Sequence, residues 1–136
     1  MVWTREFSVG IHEIDLQHKA LSDCIDALEF AIFGRERRSA VHRALAKLDD
    51  FARVHFAVEE SLMRIHDYPG LEDHVHEHWQ FSEALAKLKE KAFTADVYRD
   101  TIAFIRGWLD QHVVESDEQY ALHVLKRLVS GKDGPR

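Results

Sequence analysis

The chain has 136 residues, a net charge of −6 from 24 acidic and 18 basic side chains, ten histidines and one cysteine. That length holds one domain with a real core and is short for two. The acidic balance, with no basic stripe, argues against a nucleic-acid partner. The lone Cys24 excludes an internal disulfide framework and fits a reducing, cytoplasmic compartment. No apolar run is long enough for a signal peptide or a membrane span.

Residues 1–13 read as an irregular N-terminal arm, with Trp3 and Phe7 available to cover one edge of a core. Asp15 is a plausible N-cap for a first helix to about Phe33, whose apolar seam is Ile14, His18, Leu21, Ile25, Leu28 and Ile32. Gly34 ends it, and Ser39 can cap a second helix to about His66. The second seam is Val41, Leu45, Leu48, Ala52, His55, Glu59 and Leu62. Asp67-Tyr68-Pro69-Gly70 is a strong turn signal. A third helix from near Leu71 carries Leu71, His74, His78, Phe81, Leu85 and Leu88 on one face. A fourth from near Asp96 carries Tyr98, Ile102, Ile105, Leu109 and His112, with Trp108 alongside. A short helix from about Asp117 to Leu128 follows, and residues 130–136 are expected to form a mobile polar tail.

Amphipathic helices joined by short loops predict an all-α fold, an antiparallel up-down-up-down four-helix bundle with an N-terminal arm and a short C-terminal helix, as one domain over residues 1–136. In that topology His18, His55, Glu59, His74, His78 and His112 lie toward the same end of the bundle, each on an inward seam. Burying a carboxylate costs several kcal/mol unless it is paired or bound to a cation, on the order of what a small domain can spare. His55 with Glu59, and His74 with His78, are i,i+4 pairs that place both side chains on one helix face. His112 and Asp117 are five residues apart, about 140° on an ideal α-helix, so the helix is expected to end or loosen between them and swing Asp117 inward.

Either i,i+4 pair alone is weak, because histidines on apolar faces usually satisfy themselves in the core and helical charges often pair at the surface. The convergence of all seven residues is the argument. Five imidazoles and two carboxylates exceed one ordinary metal site and imply two ions. If both carboxylates and one solvent oxygen bridge two six-coordinate ions, one position stays open for a small molecule. Of the other histidines, His76 points outward between His74 and His78, and His66 lies about 16 Å from His55 along the helix axis. His12, His42 and His123 are off the seam or beyond the four helices. These five are read as surface or outer residues, and Cys24, off its seam, is not read as a ligand.

The runs Asp15-Leu16-Gln17-His18-Lys19, His55-Phe56-Ala57-Val58-Glu59-Glu60 with Met63, His74 to His78 followed by Phe81, and Trp108-Leu109-Asp110-Gln111-His112 to Asp117 resemble the hemerythrin family, in particular its single-domain bacterial members. The resemblance spans nearly the whole chain. It implies reversible O2 binding at a non-haem di-iron centre (Fe2+/Fe3+) bridged by Glu59, Asp117 and an oxo or hydroxo group. Carried over residue by residue, His74, His78 and His112 would hold one iron, and His18 and His55 the iron with the open position. Leu109 would line the O2 pocket. Trp108, Ile25 and Trp3 are further candidates for its wall; ordinary core packing is the alternative for each, and the better reading for Ile25 and Trp3.

On this reading the chain is an oxygen carrier, a store, or a supplier to an oxygen-consuming enzyme, and is expected to be a monomer without catalytic residues. Two other classes remain open: an O2, redox or nitric oxide sensor acting through a separate partner, and a di-iron peroxidase or nitric oxide reductase. Zinc or manganese could take the same ligands.

Overall fold

The structure, a computed structural model, describes residues 8–32, 37–90 and 95–130. The described residues form α1 (His12–Ile32), α2 (Arg37–Ile65), α3 (Leu71–Glu90), α4 (Ala95–Gln111), a π-helical turn (His112–Asp117) and α5 (Glu118–Val129), with no strand among them. Each of α1 and α3 packs against both α2 and α4, which closes a square four-helix bundle, and α5 continues past the π turn to reach α2. No helix is long and apolar enough to cross a membrane. Trp3, Phe7, Phe33, Gly34 and the tail beyond Ser130 fall outside the described residues.

The inward seams follow the helical periodicity of the sequence. On α1, Ile14, His18, Leu21, Ile25, Leu28 and Ile32 are all buried. On α3, His74, His78, Phe81, Leu85 and Leu88 are buried, and on α4 Tyr98, Ile102, Ile105 and Leu109. The second seam departs from expectation near its end. Leu62 is half-buried, while Met63 and His66 are buried. A repeat alternating three and four residues averages 3.5, whereas an α-helix turns every 3.6, so a straight helix drifts by roughly 20° per heptad. Over the 29 residues of α2 that drift carries the inward face from the Leu62 position to Met63, and His66 follows. His66 is therefore not a surface residue, and its carbonyl accepts a hydrogen bond from His123 Nε2 at 2.8 Å.

The start of α1 is a further difference. α1 starts three residues before Asp15, and Asp15 acts as an anchor for the arm instead of an N-cap. Its carboxylate accepts from the Val9 backbone N–H at 2.8 Å and from Ser8 Oγ at 2.7 Å. Gly10 at φ 87° makes the bend that lets Val9 tuck into the core, a conformation only glycine adopts freely. At the same end of the bundle, α2 stops in a paired hydrogen-bond motif. The Tyr68 N–H reaches the Met63 carbonyl at 2.8 Å, and the Asp67 N–H the Arg64 carbonyl at 3.3 Å, with Asp67 left-handed at φ 53°. Tyr68 then packs on the Met63, Tyr120 and Val124 cluster, which fixes where the chain turns into α3.

Candidate metal centre

α1, α2, α3 and the junction of α4 with α5 each bring functional side chains to one end of the bundle. His18, His55, Glu59, His74, His78, His112 and Asp117 are all buried, with Glu59, His18 and Asp117 fully so. The π turn solves the spacing of the last two. Its i→i+5 bonding, seen in the Glu118 N–H reaching the Val113 carbonyl, brings residues five apart toward one face. The helix loosens between His112 and Asp117 without ending there.

The side chains sort into two groups whose potential ligand atoms lie within 4.8 Å of one another: Glu59, His74, His78, His112 and Asp117 in one, and His18, His55, Glu59 and Asp117 in the other. Glu59 and Asp117 belong to both. Asp117 divides its oxygens between them. Oδ1 faces His74 Nε2 at 2.8 Å and His112 Nε2 at 3.0 Å, and Oδ2 faces His18 Nε2 at 2.8 Å. Glu59 Oε1 stands 3.1 Å from His55 Nε2 and 3.3 Å from His78 Nε2, with Oε2 3.7 Å from His18 Nε2. His78 and His112 meet Nε2 to Nε2 at 3.1 Å.

These separations fit a cation better than they fit protein alone. Two ligand atoms at right angles on a metal with bonds of about 2.1 Å stand about 3 Å apart. Among the described residues, Glu59 Oε1, His74 Nε2 and both Asp117 oxygens are buried without a hydrogen bond. Orphaned buried acceptors of this kind are costly unless something charged meets them. The donor set, five imidazoles and two carboxylates, suits a borderline divalent ion such as iron, zinc or manganese.

The protein's own electrostatics respond to the same gap. Burial works against charge on His18 and His112, but Asp117 and Glu59 beside them outweigh it, pushing His18 up to about 9 and His112 up to about 10. Burial would raise both carboxylates, and Glu59 would raise Asp117 further. The surrounding histidines win, chiefly His55 and His18 at Glu59 and His112 and His18 at Asp117, and hold both acids well below the usual range.

An outer layer supports the imidazoles, and sequence reasoning did not find it. His55 Nδ1 meets Gln17 Oε1 at 2.6 Å, and His78 Nδ1 meets Glu60 Oε2 at 3.0 Å. Glu77 Oε2 stands 3.6 Å from His112 Nδ1, and Glu77 Oε1 accepts from Ser116 Oγ at 2.8 Å, tying α3 to the π turn. Tyr120 OH donates to Glu59 Oε2 at 2.7 Å, and burial together with Glu59 pushes its phenol up, so it stays a donor. Gln17, Glu60 and Glu77 sat inside the motifs noted above without a role of their own; Tyr120 carried no spacing signal.

Of the pocket candidates, Leu109 and Ile25 are buried in one apolar cluster. Trp108 is half-buried and stacks flat on His112, at 4.4 Å between ring centres. Trp3 lies outside the described residues. Phe56, quoted above only as part of a motif, stacks on His78 at 4.0 Å and touches Phe81 and Trp108 edge-on, so the aromatic wall covers the three-histidine group. Among the remaining histidines, His12, His42 and His76 are exposed and His123 is half-buried; Cys24 is buried in the core and is in neither group.

A family model described as the hemerythrin HHE cation binding domain matches residues 9–122. The chain belongs to the hemerythrin family. Within that family it is 34% identical over 124 residues to a bacteriohemerythrin of Methylococcus capsulatus, covering 88% of this chain and 93% of that one. It is also 34% identical over 119 residues to a myohemerythrin of Riftia pachyptila, covering 88% and 89%. A solved wild-type hemerythrin superposes with a TM-score of 0.81 at 28% identity, over 91% of this chain and 97% of that one. Hemerythrins are known for O2 binding at a di-iron site, and this hemerythrin-family chain carries a buried cluster able to hold metal.

Proposed function

We propose that the chain is one hemerythrin-like domain that binds O2 reversibly at a non-haem di-iron centre, as a carrier, a store, or a supplier to an oxygen-consuming enzyme. It is read as an oxygen-binding protein, monomeric and cytoplasmic, rather than as an enzyme. The observation that carries this is the sharing of Glu59 and Asp117 between one group of three histidines and another of two. His74, His78 and His112 would hold one iron, His18 and His55 the other, and the two carboxylates would bridge them together with an oxo or hydroxo group.

A ferrous pair held by these residues would supply the electrons for reversible O2 binding. The chain's own residues do the rest. Five imidazoles donate without adding negative charge, which disfavours strongly oxidising iron and favours carriage over oxygenation. The two-histidine group offers fewer protein ligands and so keeps a position for a small molecule. Tyr120 holds Glu59 in its bridging orientation. Leu109 and Ile25 supply apolar surface that keeps water from the site, and exclusion of water slows loss of the bound ligand in an inactive form.

The test is anaerobic reduction followed by O2 titration, watched by visible absorption, with metal counted per chain. Two irons and a charge-transfer band that appears with O2 and vanishes on degassing support reversible binding. Irreversible oxidation, or turnover of peroxide or nitric oxide, would replace it with the enzyme reading. Zinc or manganese in place of iron would overturn the choice of metal.

A further inference from the structure

The imidazoles facing the two proposed ion positions are backed by chemically different partners. On the three-histidine side, His78 turns Nδ1 to the Glu60 carboxylate at 3.0 Å. On the two-histidine side, His55 turns Nδ1 to the Gln17 side chain at 2.6 Å. Both rings present Nε2 inward to the same atom, Glu59 Oε1. An imidazole that binds a cation through Nε2 carries its proton on Nδ1 and donates it outward. A carboxylate accepts that proton more strongly than an amide does, and leaves more electron density on Nε2.

The surroundings preserve the contrast. Glu60 is only 20% exposed, and the Arg64 guanidinium stands 3.7 Å from its other oxygen, beyond hydrogen-bond reach. Phe56 lies flat on the His78 ring and fixes its plane. Gln17 is uncharged, so nothing comparable polarises His55 through Nδ1.

We propose that Glu60 is a positioning residue that makes the three-histidine position the stronger electron donor, while Gln17 keeps the two-histidine position the weaker one. This rests on the dimetal reading above and deepens it. The position with fewer histidines also has the less polarised one, and so remains the better acceptor for an incoming small ligand.

Glutamate and glutamine share a shape and differ in charge, so exchanging each for the other isolates the effect. The full chain and its Glu60→Gln, Glu60→Asp and Gln17→Glu variants are compared, after a check of helical content. Zinc affinity is measured by competition with a chromophoric chelator, and the midpoint potential is measured on iron-loaded protein. Glu60→Gln is expected to weaken zinc binding about 10–100-fold and raise the potential. Glu60→Asp recovers most of the loss. Gln17→Glu moves both quantities the opposite way.

Shifts in the same direction for the two opposite exchanges, or changes within about twofold, overturn the proposal. If Gln17→Glu does not fold, the Glu60 pair decides: equal loss in Glu60→Gln and Glu60→Asp overturns it, and recovery in Glu60→Asp supports it. The zinc measurement needs no O2. A protein that binds no O2 but shows the expected zinc shifts loses the oxygen reading and keeps this one.

Discussion

At one end of the bundle, Leu28, Leu45, Leu48, Leu85, Leu88 and Ile105 interlock with almost no exposure. At the other end the same four helices, on the same inward faces, present five histidines and two carboxylates. The first end is stabilised by removing apolar surface from water, at about 25 cal/mol per Å2. The second buries groups that prefer water and depends on cations or protons to offset that. One helical periodicity thus serves two chemistries, and the ends should respond differently to the same kinds of perturbation.

The sharpest break in that comparison is at a shared carboxylate. Asp117→Ala or Glu59→Ala removes a member of both groups, so metal per chain should fall from two toward none by elemental analysis, while far-UV circular dichroism keeps the helical signal. Retention of both ions would contradict the bridging assignment. At the apolar end the pattern reverses. Leu48→Ala or Leu85→Ala should cost about 2–5 kcal/mol in urea unfolding and leave metal stoichiometry unchanged.

The two ends should also differ in their response to pH. His18 and His112 are raised in the folded protein to about 9 and about 10 from an unfolded value of 6.5. Stability from a raised group is fully present below the unfolded value and is lost as pH rises through the folded one. Metal-free protein should therefore melt progressively lower between about pH 6.5 and 10, by up to a few kcal/mol. Metal-loaded protein, whose cations replace those protons, should hold its Tm over the same interval. A metal-free Tm that is flat or rises across that range would show that the carboxylates do not hold the histidines charged.

The smallest effect is expected at Asp49, the polar residue buried nearest the apolar end. Its carboxylate accepts from Lys89 Nζ at 2.6 Å and Arg53 Nε at 3.2 Å, clamping α2 to α3. Burial would raise Asp49, but these two cations win and lower it. Its contribution is present above the unfolded carboxylate range and is lost as pH falls through the folded value. Asp49→Asn should cost about 1 kcal/mol at neutral pH and less in acid, read from urea midpoints, because Lys89 and Arg53 reach solvent and the pairs are screened.

The sequence by itself determined the helices, their inward faces and the seven residues that meet at one end. Helical period sets angle, residue number sets height, and an antiparallel bundle needs nothing more to bring His18, His55, His74, His78 and His112 together. It even required the loosening at 112–117, because residues five positions apart do not share a face of an α-helix. Only the tertiary structure decided what depends on contacts across helices. The inward face of α2 slipped from Leu62 to Met63 because drift accumulates over a long straight helix. Asp15 became the arm's anchor, and Gln17, Glu60, Glu77 and Tyr120 became partners of the inner residues. Those contacts arise from side-chain rotamers and the distances between helix axes, and neither has a period that a sequence displays.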